Sequence, residues 1–108
     1  MIDWDRLRDL REEVGDESFA EVVVLFIDEV DAAIDELSSL DDAAALAREL
    51  HFIKGSALNL GFSRLADLCA HGEQKAAEGD KTAVDIDSLR NVYAESRRQL
   101  LAQMPPAG

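Results

Sequence analysis

Residues 51–61 read HFIKGSALNLG. On a helix, residues three and four apart are neighbours, so His51, Lys54 and Gly55 share one surface. A neutral imidazole has a lone pair on one ring nitrogen near pH 7 and needs no base to attack, provided its other nitrogen keeps its proton in a hydrogen bond. Lys54 supplies positive charge for the oxygens of a phosphoryl group brought to that imidazole, with Arg48 as a second source. Gly55 costs about 1 kcal/mol relative to alanine in a helix interior. It lies on the outer face, where close helix packing does not explain it, and it clears the approach of a second molecule. An exposed histidine followed by a lysine is also ordinary helix-surface chemistry. Residue types and spacing therefore establish an accessible, cation-flanked histidine, and no more.

The segment must be held by helices. Asp3 can cap a first helix over about residues 3–14, whose Trp4, Leu7, Leu10 and Val14 recur at helical spacing before Gly15. Asp16 is the expected cap of a second helix, with Phe19, Val23, Phe26, Val30, Ile34 and Leu37 as its apolar stripe. Asp41 or Asp42 opens a third, in which Leu46, Leu50, Ile53, Ala57 and Leu60 point inward until Gly61. His51 points away from that stripe and should be exposed among short neighbours, with Ala44 and Ala47 before it and Gly55 after.

Ser63 is the expected cap of a fourth helix with Leu65, Leu68, Cys69 and Ala76 inward and Gly79 as its stop. After GDKTAVD a fifth carries Leu89, Val92, Tyr93, Ser96 and Leu100 on one side and cannot run far past Pro105. No window alternates like a strand, and the connections are short. The pattern predicts an all-α fold: an up-down-up-down antiparallel four-helix bundle with an additional short N-terminal helix. One domain is expected over residues 1–104, with 105–108 as a flexible tail.

With 23 Asp and Glu against 11 Lys and Arg, the net charge of −12 opposes binding to nucleic acid or to anionic membrane surfaces. The longest apolar run, VVVLFI, is too short to cross a bilayer, and MIDWDRLRDL lacks the order of a signal peptide. Cys69 is the only cysteine, so no intramolecular disulfide can form; a cytoplasmic monomer is the expectation. A zinc site from His51, Cys69 and His71 is rejected, because Cys69 and His71 diverge by about 200° on one helix. No metal is expected, and Cys69 and His71 are read as core and surface.

The string HFIKGSALNLG resembles the signature of histidine-containing phosphotransfer (HPt) domains, His-x-x-Lys-Gly-Ser followed by Gly, through His51, Lys54, Gly55, Ser56 and Gly61. The opening ID, the stretch GDESFAEVVVLFIDEV and LADLCAHGE are similar to that family as well. The resemblance implies a phosphorelay carrier without an ATP site of its own. His51 accepts a phosphoryl group from the aspartate of one response-regulator receiver domain and passes it to another. Lys54 assists at the phosphoryl group, Gly55 gives access, and Ser56 and Gly61 shape the third helix and its end. The chain then needs no cofactor, since magnesium belongs to the receiver, and a hybrid sensor histidine kinase is a further partner.

Two positions depart from the family pattern. Phe52 stands where the family is often small or polar, with the first helix as its candidate cover. Gly72 precedes Glu73 where the family usually has leucine, and is expected to loosen the fourth helix locally. Two other functions compete with the carrier: a docking bundle that regulates without carrying phosphate, and a phosphoacceptor domain fed by a histidine kinase. For docking, Val24 and Leu25 with Ala44, Ala47 and Leu58 form a candidate patch. The alternative is that the first helix covers Val24 and Leu25.

Overall fold

The computed structural model describes residues 2–103. Asp3 caps α1 (Trp4–Val14) by accepting the backbone N–H of Arg6 at 3.2 Å, which satisfies one of the donors that a helix start leaves open. Gly15, at φ 86°, ends α1 and also holds the N-cap position of α2 (Asp16–Glu36). Asp16 therefore stands in the first turn of α2 instead of capping it, where its carboxylate still faces the positive end of the helix.

Helix α2 buries Phe19, Val23, Ile27, Val30, Ala33 and Ile34. Phe26, read as part of the inward stripe, is half-buried. Each residue advances about 100°, so the stripe drifts around a helix of this length and Ile27 takes the inward place. A 3-10 turn at Leu37–Ser39 puts Leu37 into the core. Asp42 then caps α3 (Ala43–Leu60) by accepting the N–H of Ala44 at 3.0 Å. Leu46, Leu50, Ile53, Ala57 and Leu60 are buried as their spacing predicts.

Helix α4 (Ser63–Ala77) follows after Gly61 and Phe62, and Phe62 occupies the N-cap position expected of Ser63. Leu65, Cys69 and Ala76 face inward as expected, while Leu68 is half-buried. The helix runs unbroken through Gly72. A 3-10 turn at Lys81–Ala83 leads to α5 (Ile86–Gln103), which buries Leu89, Val92, Tyr93, Ser96 and Leu100. The expected tail, 105–108, lies outside the described residues.

The elements form an all-α bundle of 44 × 21 × 19 Å in which α2, α3, α4 and α5 pack as a closed ring and α1 lies across α2 and α3. The α3–α4 pair has the most extensive interface. Leu50, Ile53, Leu60 and Leu65 from that pair, and Phe62 between the two helices, are fully buried, each contributing about 1.5–3 kcal/mol of apolar burial. Tyr93 joins α5 to α2 by donating to Asp31 Oδ1 at 2.5 Å, with the carbonyl of Ile27 at 3.2 Å.

The end of α3 explains Gly61. Its φ of 73° lies in the left-handed region, and its carbonyl accepts the N–H of Asp3 at 2.6 Å. A side chain at Gly61 would run into the backbone carbonyl of Asp3. Arg6 donates to Asn59 Oδ1 at 3.0 Å beside this contact, so α1 is tied to the C-terminal end of α3. From there it does not cover Val24, Leu25 or Phe52, all three of which are exposed.

Candidate functional site

His51 and Lys54 lie one turn apart on α3, at the level where α4 presents Glu73. The core residues Leu50 and Ile53 anchor this stretch of helix, which turns His51 outward. Its side chain is 69% exposed, whereas those of Lys54 and Glu73 are 27% and 25% exposed. One carboxylate holds both: Glu73 Oε1 is 2.8 Å from His51 Nδ1, and Glu73 Oε2 accepts from Lys54 Nζ at 2.7 Å. The Lys54 hydrogen bond, reinforced by that of His51 and opposed by burial, holds the Glu73 carboxyl below the ordinary glutamate range.

Protonation at His51 follows from this geometry. An ionised carboxylate only accepts hydrogen bonds, so the proton shared with Glu73 belongs to Nδ1 of the imidazole. In the neutral ring Nε2 then carries the lone pair, and it is the nitrogen that Glu73 does not hold. The His51 side chain helps line an open cleft of about 260 Å³ between α3 and α4, together with Ala47, Arg48, Glu73 and Ala77. Small side chains from both helices leave room there for a group from another molecule. Arg48 is exposed in this cleft and has no ion-pair partner among the described residues.

Gly55 is on the same exposed face, and a Cβ built on it meets nothing within 4 Å. No packing constraint within the protein requires glycine there. A family model described as the Hpt domain matches residues 21–100, which include the whole α3–α4 pair. The chain belongs to the Hpt domain family. No curated protein and no solved structure gives a significant match to it.

Membership makes the chain a phosphoryl carrier of the histidine phosphotransfer type, at work in a phosphorelay among components of two-component systems. The remaining site candidates of this Hpt domain separate in space. Ala47 lines the His51 cleft, whereas Val24 and Leu25 line a shallow apolar depression on α2 with Ala20 and Glu21. Ala44 and Leu58 are exposed on α3 but line neither. Ser56 faces the core, and Gly61 shapes the end of α3 against Asp3 as described above.

Sequence spacing alone does not single out Glu73. The signal was present in LADLCAHGE, but one acidic residue among 23 Asp and Glu gives no hint that it faces another helix. Cys69 is fully buried, and burial, aided by the charge of Glu73, pushes its thiol up to about 12. His71 is exposed. Among the described residues no group of three or more His, Cys, Asp or Glu is placed to hold a metal ion, and no helix is long and apolar enough to cross a membrane.

Proposed function

We propose that His51 is the phosphoacceptor of this Hpt domain and that it relays a phosphoryl group between the aspartates of two receiver domains. The observation that carries this reading is the 2.8 Å contact of Nδ1 with Glu73, which leaves Nε2 as the free nucleophile beside an open cleft. In the forward step the Nε2 lone pair attacks phosphorus in line, an N–P bond forms, and the O–P bond to the donor aspartate breaks. The donor carboxylate leaves with the electron pair. Nδ1 keeps its proton throughout, and Glu73 balances the positive charge that develops on the ring. The second receiver reverses these steps.

Lys54 supports the step with its ammonium group. One of its three N–H donors engages Glu73, so two remain for phosphoryl oxygens. Arg48 is the second cation, in the cleft itself. Gly55 lets the partner's surface come close, and the apolar residues Val24 and Leu25, with Ala44, Ala47 and Leu58, offer it docking area. Magnesium is the partner's.

The test is to mix the purified chain with a receiver domain already phosphorylated on aspartate, in magnesium and without ATP or kinase, and to follow the label. The carrier reading expects label on His51 and then on a second, unphosphorylated receiver. Binding without label would identify a docking module, and label only after addition of kinase and ATP would identify a kinase-fed domain. Several receivers are needed, because shape and charge decide which pairs react.

A further inference from the structure

Gly72 sits in the interior of α4 and is buried there, where glycine is a poor helix former. A Cβ at this position would stand 3.2 Å from Leu50 Cδ1 and 3.3 Å from Val84 Cγ1. Carbon atoms pack best at about 3.5–4.0 Å, so even one added methyl group makes both neighbours give way. Leu50 is fully buried and Val84 nearly so. Gly55 is the opposite case, with open space around it. The two helix-interior glycines thus have different causes: one meets solvent, the other meets a packed helix and a packed connector.

The position of this contact matters more than its tightness. Leu50 immediately precedes His51 and Gly72 immediately precedes Glu73, so the Leu50–Gly72 contact and the His51–Glu73 contact belong to the same crossing of α3 and α4. Helix axes pack about 8–10 Å apart according to the side chains between them, and a glycine at the contact permits the closer end of that range. Glu73 has to meet two partners on α3 with one short side chain, at 2.8 Å and 2.7 Å. A hydrogen bond does not survive an added ångström.

We propose that Gly72 is a positioning residue for His51: by seating Leu50 and Val84 against bare backbone, it sets the α3–α4 distance at which Glu73 spans His51 and Lys54 together. The effect on transfer rests on the reading of His51 as phosphoacceptor. The effect on the imidazole does not. Gly72 touches no reacting atom and works through Glu73. A side chain branched at Cβ is the sharpest probe, because it adds two methyl groups where the Cβ alone already crowds both neighbours.

The experiment compares the wild-type chain, Gly72→Ala, Gly72→Val, Val84→Ala and the double variant Gly72→Val with Val84→Ala. Two-bond proton–nitrogen NMR correlations of the His51 ring read which nitrogen carries the proton, and transfer from a phosphorylated receiver is measured at increasing receiver concentration. The proposal expects protonation at Nδ1 in the wild type and a mixture in Gly72→Val. The maximal transfer rate of Gly72→Val should fall ten- to a hundredfold, the scale of an ångström-sized misplacement, with the half-saturating receiver concentration unchanged. Val84→Ala in the same chain should restore part of both, and Gly72→Ala should shift the proton ratio the same way by less. A folded Gly72→Val with the wild-type ratio and rate overturns the proposal. If Gly72→Val does not fold, Gly72→Ala decides, and an unmoved proton ratio overturns it. A wild-type chain that takes no label from any receiver, yet shows the Gly72-dependent ratio, would end the phosphoacceptor reading and leave the positioning role standing.

Discussion

Glu73 Oε1 on α4 lies 2.8 Å from Nδ1 of His51 on α3, and this contact divides the two ring nitrogens into one that is held and one that is free. The division arises from a pairing between helices, since 22 positions separate the two residues in the chain. Lys54 fixes the other oxygen of the same carboxylate, so the orientation of Glu73 is set from two points.

Replacing Glu73 tests that division. Glu73→Ala removes the partner of Nδ1 and should slow transfer to His51, because the ring can then place its proton on either nitrogen. Glu73→Gln keeps an acceptor oxygen and should lose less. The site is partly exposed, so the stability change should stay below about 1 kcal/mol. Its pH dependence has a definite sign: the folded carboxyl is held below its unfolded value, chiefly by Lys54, so its contribution is full above the ordinary glutamate value and fades as pH falls through the depressed folded one. Melting curves of wild type and Glu73→Gln should differ at neutral pH and converge in acid.

His51→Gln should abolish phosphorylation and keep the fold. The side chain stands outside the core, and substitutions at such exposed positions usually stay within about 0.5 kcal/mol. Acid-labile, base-stable phosphate on this variant would place the acceptor elsewhere. His71→Gln, exposed on the outer side of α4, should transfer normally.

Helix number, the α3 core stripe and the exposure of His51 were legible because each depends on local periodicity and on caps such as Asp3 and Asp42, which act within a few residues of themselves. The caps assigned to Asp16 and Ser63 were not, because the preceding Gly15 and Phe62 already hold those positions. Glu73 and Gly72 were not legible for another reason. Their meaning lies in the crossing of two helices, and a single helical pattern carries no information about the height at which its neighbour crosses. The same holds for Phe52, Val24 and Leu25, whose exposure depends on where α1 docks, fixed by Gly61, Asp3, Arg6 and Asn59 at the far end of α3.

Cys69 should be inert in the native state. Its thiol is fully buried and pushed up to about 12, so almost none is thiolate at pH 8. A thiol-reactive dye should label the folded chain only as fast as the bundle opens, and labelling should accelerate through the urea unfolding transition. Rapid modification in native buffer would contradict the burial of this face of α4.

Gly55 should separate stability from function. Gly55→Ala adds a methyl group to open space and replaces a poor helix former, so the melting temperature should rise, by an amount equivalent to about 0.5–1 kcal/mol. Gly55→Leu should fold as well but place a bulky side chain beside the approach to His51, and its transfer rate should drop. Equal transfer by Gly55→Leu and wild type would mean that the glycine is not there for access.

Lys54 and Arg48 are the two cations proposed to share the phosphoryl charge, and their variants should show how they divide it. Lys54→Met keeps the packing of the aliphatic stem while removing the ammonium group, so the loss it reports is one of charge. Transfer should fall on the order of tenfold or more, as when one donor to a developing oxyanion is removed. Glu73 then loses its main stabilising partner, and its carboxyl should titrate closer to the ordinary range, which NMR of the side-chain carboxyl can follow. Arg48→Ala should cost less, because Arg48 lines the cleft without being fixed by Glu73. If both cations meet the same phosphoryl group, the double variant should lose a different amount from the product of the single losses, since groups sharing one partner do not act independently. A product that matches would mean that the two act separately, and an unchanged rate in Lys54→Met would move the main charge to Arg48 or to the receiver.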